Sequence, residues 1–194
     1  QFLAKLKYLC RQNAAGGRTY RKLWHVRPRP IALHHPFNNY TYMVLSNIEK
    51  HYNKHPEDLR LQRRHGIVEF ETTMHHLRRF LRPEDFLLDI GAGTGRYTSA
   101  LMAEGYRVKA VELVRRNIDV FLKREPAGDV VQGDARNLSF IPTASADLTL
   151  LLGPLYHLIG DEEKLKALLE AKRVTKPGGL IFVAYLMNEY SILS

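Results

Sequence analysis

A chain of 194 residues, 45% hydrophobic and 25% charged, is long enough for one α/β domain with a sizeable core and too short for two ordinary domains. Its single cysteine, Cys10, excludes an internal disulfide framework and a cysteine-built zinc site, which makes a reducing cytoplasm the default compartment; no apolar run approaches the ~20 residues of a membrane-spanning helix. The net charge of +9 is concentrated in one segment: residues 1–42 hold eight Lys and Arg and no acid, so the other 21 basic residues face all 20 acids and residues 43–194 carry about +1.

Residues 1–42 carry turn and breaker signals (Gly16-Gly17, Arg27-Pro28-Arg29-Pro30, His34-His35-Pro36) and little continuous periodicity. Three readings stand side by side. One is a basic arm for nucleic acid, with Tyr20, Trp24, Phe37, Tyr40 and Tyr42 available for stacking. Another is an Arg-rich, acid-free targeting segment, although Lys5, Lys7 and Arg11 come without the apolar core of a secretory signal. The plainest is an extension upstream of Met43, set aside from fold reasoning.

Residues 44–81 read as helix. Ile67, Phe70, Met74, Leu77 and Leu81 step by three and four and form one apolar stripe, with Pro83 as the stop. The helix caps a sheet, or closes over a ligand with Tyr52, Arg64, Glu69, Thr72 or Thr73 reaching inward. The adjacent His75 and His76 lack a carboxylate at ligand spacing and read as surface residues rather than metal ligands. From residue 86 strands and helices alternate: strands at 86–90, 107–113, 129–132, 147–152 and 180–186, helices at 97–104, near 116–124 and from Asp161. That order predicts a Rossmann-like, doubly wound, mostly parallel sheet with helices on both faces. Asp161, Glu162 and Glu163 open the last helix and Lys172 and Arg173 close it, as its dipole favours, and Pro177-Gly178-Gly179 breaks it.

In such a sheet ligands bind outside the carboxyl ends of the strands. The 86–90 strand ends on Asp89 and passes through Gly91, Gly93 and Gly95 into a helix. Glycines allow positive φ and close backbone approach, and a helix start offers unpaired N–H groups. Glu112 ends the next strand, 21 residues after Gly91 (112 − 91), where a carboxylate suits the two hydroxyls of a ribose. Asp134 follows the third strand and can accept from an exocyclic amine such as adenine's. Each acid alone reads as a solvated or capping residue; all of them in order along the ligand edge do not.

With these residues the chain resembles the class I S-adenosylmethionine-dependent methyltransferases over roughly residues 44–190. Leu88-Asp89-Ile90-Gly91-Ala92-Gly93-Thr94-Gly95 looks like their first motif, Gly133-Asp134-Ala135 like their adenine loop, 151–158 like their fourth-strand motif, and Lys176-Pro177-Gly178-Gly179 like the approach to their fifth strand. Glu69-Phe70-Glu71-Thr72-Thr73 and the run from Gly153 to Leu158 narrow the resemblance to the UbiE-like, small-molecule members. The resemblance implies a cofactor, S-adenosyl-L-methionine (product S-adenosyl-L-homocysteine), held by Asp89, Gly91, Ala92, Gly93, Gly95, Arg96, Tyr97, Glu112, Leu113, Asp134, Ala135 and Leu152. It divides the chain into a basic extension (1–42), a helical cap (43–83) and the cofactor-binding domain (84–194). A nicotinamide dehydrogenase is the competitor on the same architecture, but its G-x-G-x-x-G would need glycine where Arg96 stands.

Methyl transfer from a sulfonium is an in-line displacement in which the protein mainly aligns and desolvates the nucleophile. Tyr156 and His157 are the candidates to touch the acceptor, with His157 a general base near neutral pH; the alternative has Tyr156 packing and His157 capping the next turn. With Cys10 as its only cysteine, the chain has none in the domain to attack a pyrimidine, and no Asn/Asp-Pro-Pro-aromatic motif follows the fourth strand, which argues against exocyclic base amines and amide nitrogens; the small-molecule acceptor is what the resemblance implies. The second hypothesis is an RNA-associated module that binds through the arm at 1–42. The resemblance also implies two further strands and an insertion after 180–186. A chain ending at Ser194 therefore reads as truncated after its fifth strand, with an exposed edge that could pair with another copy; otherwise residues 1–42 supply that edge in permuted order.

Overall fold

The computed structural model describes residues 7–9 and 64–184. In chain order these form β1 (Lys7–Leu9), α1 (Arg64–Arg78), β2 (Phe86–Ile90), α2 (Arg96–Ala103), β3 (Arg107–Glu112), α3 (Arg115–Arg124), β4 (Asp129–Gln132), β5 (Ala146–Leu151), a short 3-10 turn (Pro154–Tyr156), α4 (Asp161–Val174) and β6 (Thr175–Val183). The sheet order is β1-β6-β5-β2-β3-β4; every neighbouring pair is parallel except β1 with β6. A chain that leaves β2, builds outward through β3 and β4, then returns to β5 reverses direction beside β2, which makes the carboxyl ends of β2 and β5 the switch point.

The strands are apolar on both faces because helices cover both. Leu87, Val108, Leu148, Leu150 and Phe182 pack under Met74 and Leu77 of α1 and Leu101 of α2. Leu88, Ile90, Val111, Leu151 and Val183 pack on the other face with Ala171 and Val174 of α4. Burial on both sides is why these strands read as continuous apolar runs rather than as alternation. The doubly wound sheet with helices on both faces is the architecture the alternating pattern predicts.

Four details depart from the sequence reading. Of the apolar stripe on α1, Met74 and Leu77 are buried but Ile67 is 45% exposed, because the stripe outruns the helical face that touches the sheet. Within the described residues the helix ends at Arg78, ahead of Pro83; residues 44–63 lie outside them. The last strand begins at Thr175 and not after the Pro-Gly-Gly break: Ala146 pairs with Thr175 and Leu148 with Leu180, so Lys176–179 loop out of a ladder that then resumes. Gly178 has φ +80 there, and a side chain on Gly179 would meet the Asp147 carbonyl at 2.7 Å. The sheet also holds a sixth strand. Lys7, Tyr8 and Leu9 pair antiparallel with Val183, Phe182 and Ile181, so the β6 edge expected to be open is covered over three residues by part of the basic segment.

Candidate active site

The parallel register sets the carboxyl ends of the strands side by side: Ile90 opposite Val111 and Leu151, and Glu112 opposite Gln132. The turn after β2 is held by backbone bonds to β3 and by the Glu112 side chain. Gly91, Gly93 and Gly95 take φ of 74, 58 and 79°, and the N–H groups of Gly91 and Ala92 both donate to the Val111 carbonyl, at 2.7 and 3.2 Å. Such angles strain any L side chain. Gly91 also receives the loop after β5, since a Cβ there would lie 2.6 Å from the Pro154 ring. The turn and the loop that carries Tyr156 and His157 are therefore in contact.

Glu112 is buried and ties the ends of β2 and β3 together. Its Oε2 accepts from the Gly93 N–H at 2.8 Å, and its Oε1 accepts from the Val114 N–H at 2.9 Å and Asn117 Nδ2 at 3.1 Å. Asp89 sits one strand away, also buried, and accepts from the Thr98 hydroxyl at 2.7 Å. Burial pushes its carboxyl up to about 6; the Thr98 hydrogen bond opposes this and the nearby Glu112 charge adds to it. A folded-state value above the unfolded one means that folding favours the protonated acid. The contribution is fully present below pH about 4 and is lost as pH rises through about 6. Asp89→Asn is accordingly expected to stabilise the chain by on the order of 2–3 kcal/mol at pH 7 and by nothing at pH 3.5, read as urea-unfolding free energies at the two pH values.

Arg96 and Tyr97 begin α2 under the cover of α1. The Arg96 guanidinium lies 4.2 Å from the Phe70 ring centroid and reaches the Gly66 carbonyl at 3.4 Å; the Phe70 and Tyr97 rings are 5.1 Å apart. The Tyr97 hydroxyl is hydrogen-bonded to Thr73, and burial raises its pKa. Of the inward-reaching residues foreseen on α1, Thr73 is buried, Glu69 half-buried and Thr72 exposed, while Tyr52 lies outside the described residues, as does the Arg64 side chain.

At the far side, Leu113 and Asp134 flank the ends of β3 and β4. The Leu113 carbonyl accepts from Gln132 Nε2 at 2.9 Å, and the Gly133 N–H donates to the Glu112 carbonyl at 3.0 Å. Asp134 is held by Arg136, which also pairs with Glu163 of α4. Ala135 packs against one core cluster and Leu152 against the other. Tyr156 and His157 are half-buried, and their N–H groups donate to the Gly153 and Pro154 carbonyls, each at 3.1 Å. Sequence reasoning missed Thr98, Asn117, Arg136 and Glu163. Of these only Arg136 had a local signal, its place directly after Gly133-Asp134-Ala135. Among the described residues no His, Cys, Asp and Glu side chains gather in a group of three that could hold a metal ion. None of the helices among them is long and apolar enough to cross a membrane.

Residues 88–183, from the first glycine turn through β6, match the methyltransferase domain family. Residues 88–183 thus carry a methyltransferase domain of the class I S-adenosylmethionine-dependent kind. The chain is 36% identical over 99 residues to the cypemycin N-terminal methyltransferase of a Streptomyces species, covering 50% of this chain and 40% of that one. To the demethylmenaquinone methyltransferase of Renibacterium salmoninarum it is 35% identical over 102 residues, covering 53% and 41%. The chain thus spans about two fifths of the length of those relatives. Among solved structures, phosphoethanolamine N-methyltransferase 1 of Haemonchus contortus superposes with a TM-score of 0.61 at 24% identity, over 76% of this chain and 33% of that one, a likeness of fold.

Proposed function

We propose that the domain binds S-adenosyl-L-methionine along the carboxyl ends of β2 to β5 and transfers its methyl group to a small-molecule acceptor. The observation that carries this reading is the bond from the Gly93 N–H to Glu112 Oε2 at 2.8 Å. It joins the acid suited to a ribose diol to the turn suited to close backbone approach, in a site where the next acid, Asp134, suits adenine. The residues present fit the group: a turn of three positive-φ glycines and two carboxylates in the order of diol and amine. When bound, the cofactor supplies an activated methyl on a sulfonium.

The chain's own residues then divide the work. Asp89, Gly91, Ala92, Gly93, Gly95, Arg96 and Tyr97 would hold the amino-acid end, Glu112 and Leu113 the ribose, Asp134 and Ala135 the adenine, and Leu152 would face the methyl group. Tyr156 and His157, in the loop that packs on Gly91 through Pro154, would orient the acceptor, and His157 would take its proton. The named acceptors of the relatives differ, so the class proposed is a small molecule of unspecified skeleton, met in the cytoplasm, which suits a chain with one cysteine. We keep residues 84–194 as the cofactor-binding unit and 43–83 as its cap. The basic segment that would carry the RNA reading lies, beyond Lys7–Leu9, outside the described residues.

Calorimetric titration with S-adenosyl-L-methionine tests the proposal. One site per chain is expected, lost in Asp89→Ala and Glu112→Ala. Absence of binding by the unaltered chain overturns it.

A further inference from the structure

Arg136 makes more contacts than a loop arginine needs. Its N–H and Nε donate to Asp134 Oδ1 at 2.9 and 3.0 Å, its Nε and Nη2 to Oδ2 at 3.1 and 2.5 Å. Its Nη1 pairs with Glu163 in the first turn of α4, and Glu163 is held from its other side by Lys166 at 2.6 Å. The Arg136 side chain is 12% exposed, against 22% for Asp134 and 28% for Glu163. A carboxylate on a two-torsion stem would otherwise turn freely. Gripped edge-on by a planar fork, its plane is set before any ligand arrives, and a lysine could not do the same.

We propose that Arg136 is a positioning residue: braced by Glu163, it holds the Asp134 carboxylate in the orientation that accepts from the exocyclic amine of a bound purine. The inference rests on the cofactor reading above. With Lys166 on Glu163 the cluster sets two carboxylates against two cations, and the Asp134 carboxylate keeps its acceptor oxygens while its geometry is fixed. Preorganisation of this kind raises affinity by removing the ordering cost from the binding step. It also ties adenine recognition to α4, the helix that directly continues the acceptor-side loop at 153–160.

A merely structural staple would weaken every ligand alike, whereas orientation of Asp134 matters only to a ligand with an amine to donate. The test therefore compares S-adenosyl-L-homocysteine with its 6-deamino counterpart, which carries unsubstituted purine. Affinities are measured by calorimetry on the full 194-residue chain and on Arg136→Met, Arg136→Lys and Glu163→Gln. Arg136→Met is expected to weaken the adenine ligand about tenfold, the worth of one well-aligned charge-assisted hydrogen bond, and the deamino ligand less than about twofold. Glu163→Gln should weaken only the adenine ligand, by about threefold, and Arg136→Lys should fall between parent and Arg136→Met. Glu163→Gln carries the test if Arg136→Met does not fold. Equal losses for the two ligands, or no loss for either, overturn the clamp while leaving cofactor binding intact. No binding by the unaltered chain overturns the cofactor reading and the clamp with it.

Discussion

Glu112→Gln, the smallest change possible at the end of β3, is expected to lose about 3 kcal/mol of folding stability and at least about a hundredfold in cofactor affinity. The reason is that both carboxylate oxygens are acceptors for N–H groups. Oε2 takes the Gly93 N–H; Oε1 takes the Val114 N–H and Asn117 Nδ2. A glutamine has one oxygen and one NH2, so whichever way the amide turns, a donor faces a donor. At 5% exposure water cannot step in, and an unmet buried donor costs about 1–3 kcal/mol. Glu112→Ala loses the same acceptors but adds no opposing NH2, and is expected to be as unstable or slightly less so. Urea unfolding at pH 7 orders the three proteins. A glutamine variant within 1 kcal/mol of the parent would show that these three bonds do not hold the turn.

The second large effect is expected at Gly95. With φ at 79° an alanine there sits in the left-handed region, costing about 1–2 kcal/mol, and its Cβ would fall 2.1 Å from the Phe121 ring. Phe121 is fully buried and its ring is also 2.6 Å from where a Cβ on Gly128 would stand. Bracketed by two glycines, the ring cannot retreat, and overpacking of this kind adds about 1–3 kcal/mol. Gly95→Ala should therefore cost about 3 kcal/mol or more in urea unfolding. Phe121→Ala removes the ring atoms that this Cβ would meet, so the double variant should be more stable than the sum of the singles implies, by about 1 kcal/mol. Strict additivity would mean that the φ strain is the whole effect.

What was legible in the chain was what repeats or punctuates locally. The apolar run ending at Asp89, the alternating glycines, and acids one strand apart at Glu112 and Asp134 are short-range patterns. A parallel sheet turns them into neighbours because each strand ends at the same edge. Thr98, Asn117 and Glu163 were not legible, because a hydrogen bond to a residue on another element leaves no periodic trace. Ile67 misled because a stripe states which residues share a helix face, and not how much of that face the sheet is wide enough to cover. The loop at 176–179 reads as a break ahead of the last strand, because proline and glycines signal one; the ladder forms on both sides of it. Three residues, Lys7–Leu9, are too few to show alternation, so nothing marked them as a strand.

That strand has a consequence for how the sheet assembles. Phe86 and its β3 partner Arg107 are 21 positions apart (107 − 86), and Leu87 and its β5 partner Leu148 are 61 apart (148 − 87), whereas Lys7 pairs with Val183 across 176 (183 − 7). Loop-closure entropy rises only slowly with that distance, but folding slows as contacts become less local. During synthesis β2, β3 and β4 can pair as they emerge, while Lys7–Leu9 must wait for Ile181–Val183. The same edge, held by three residue pairs, should open first in the folded protein. Its amides should exchange with solvent well before those of β2, at the centre of the sheet.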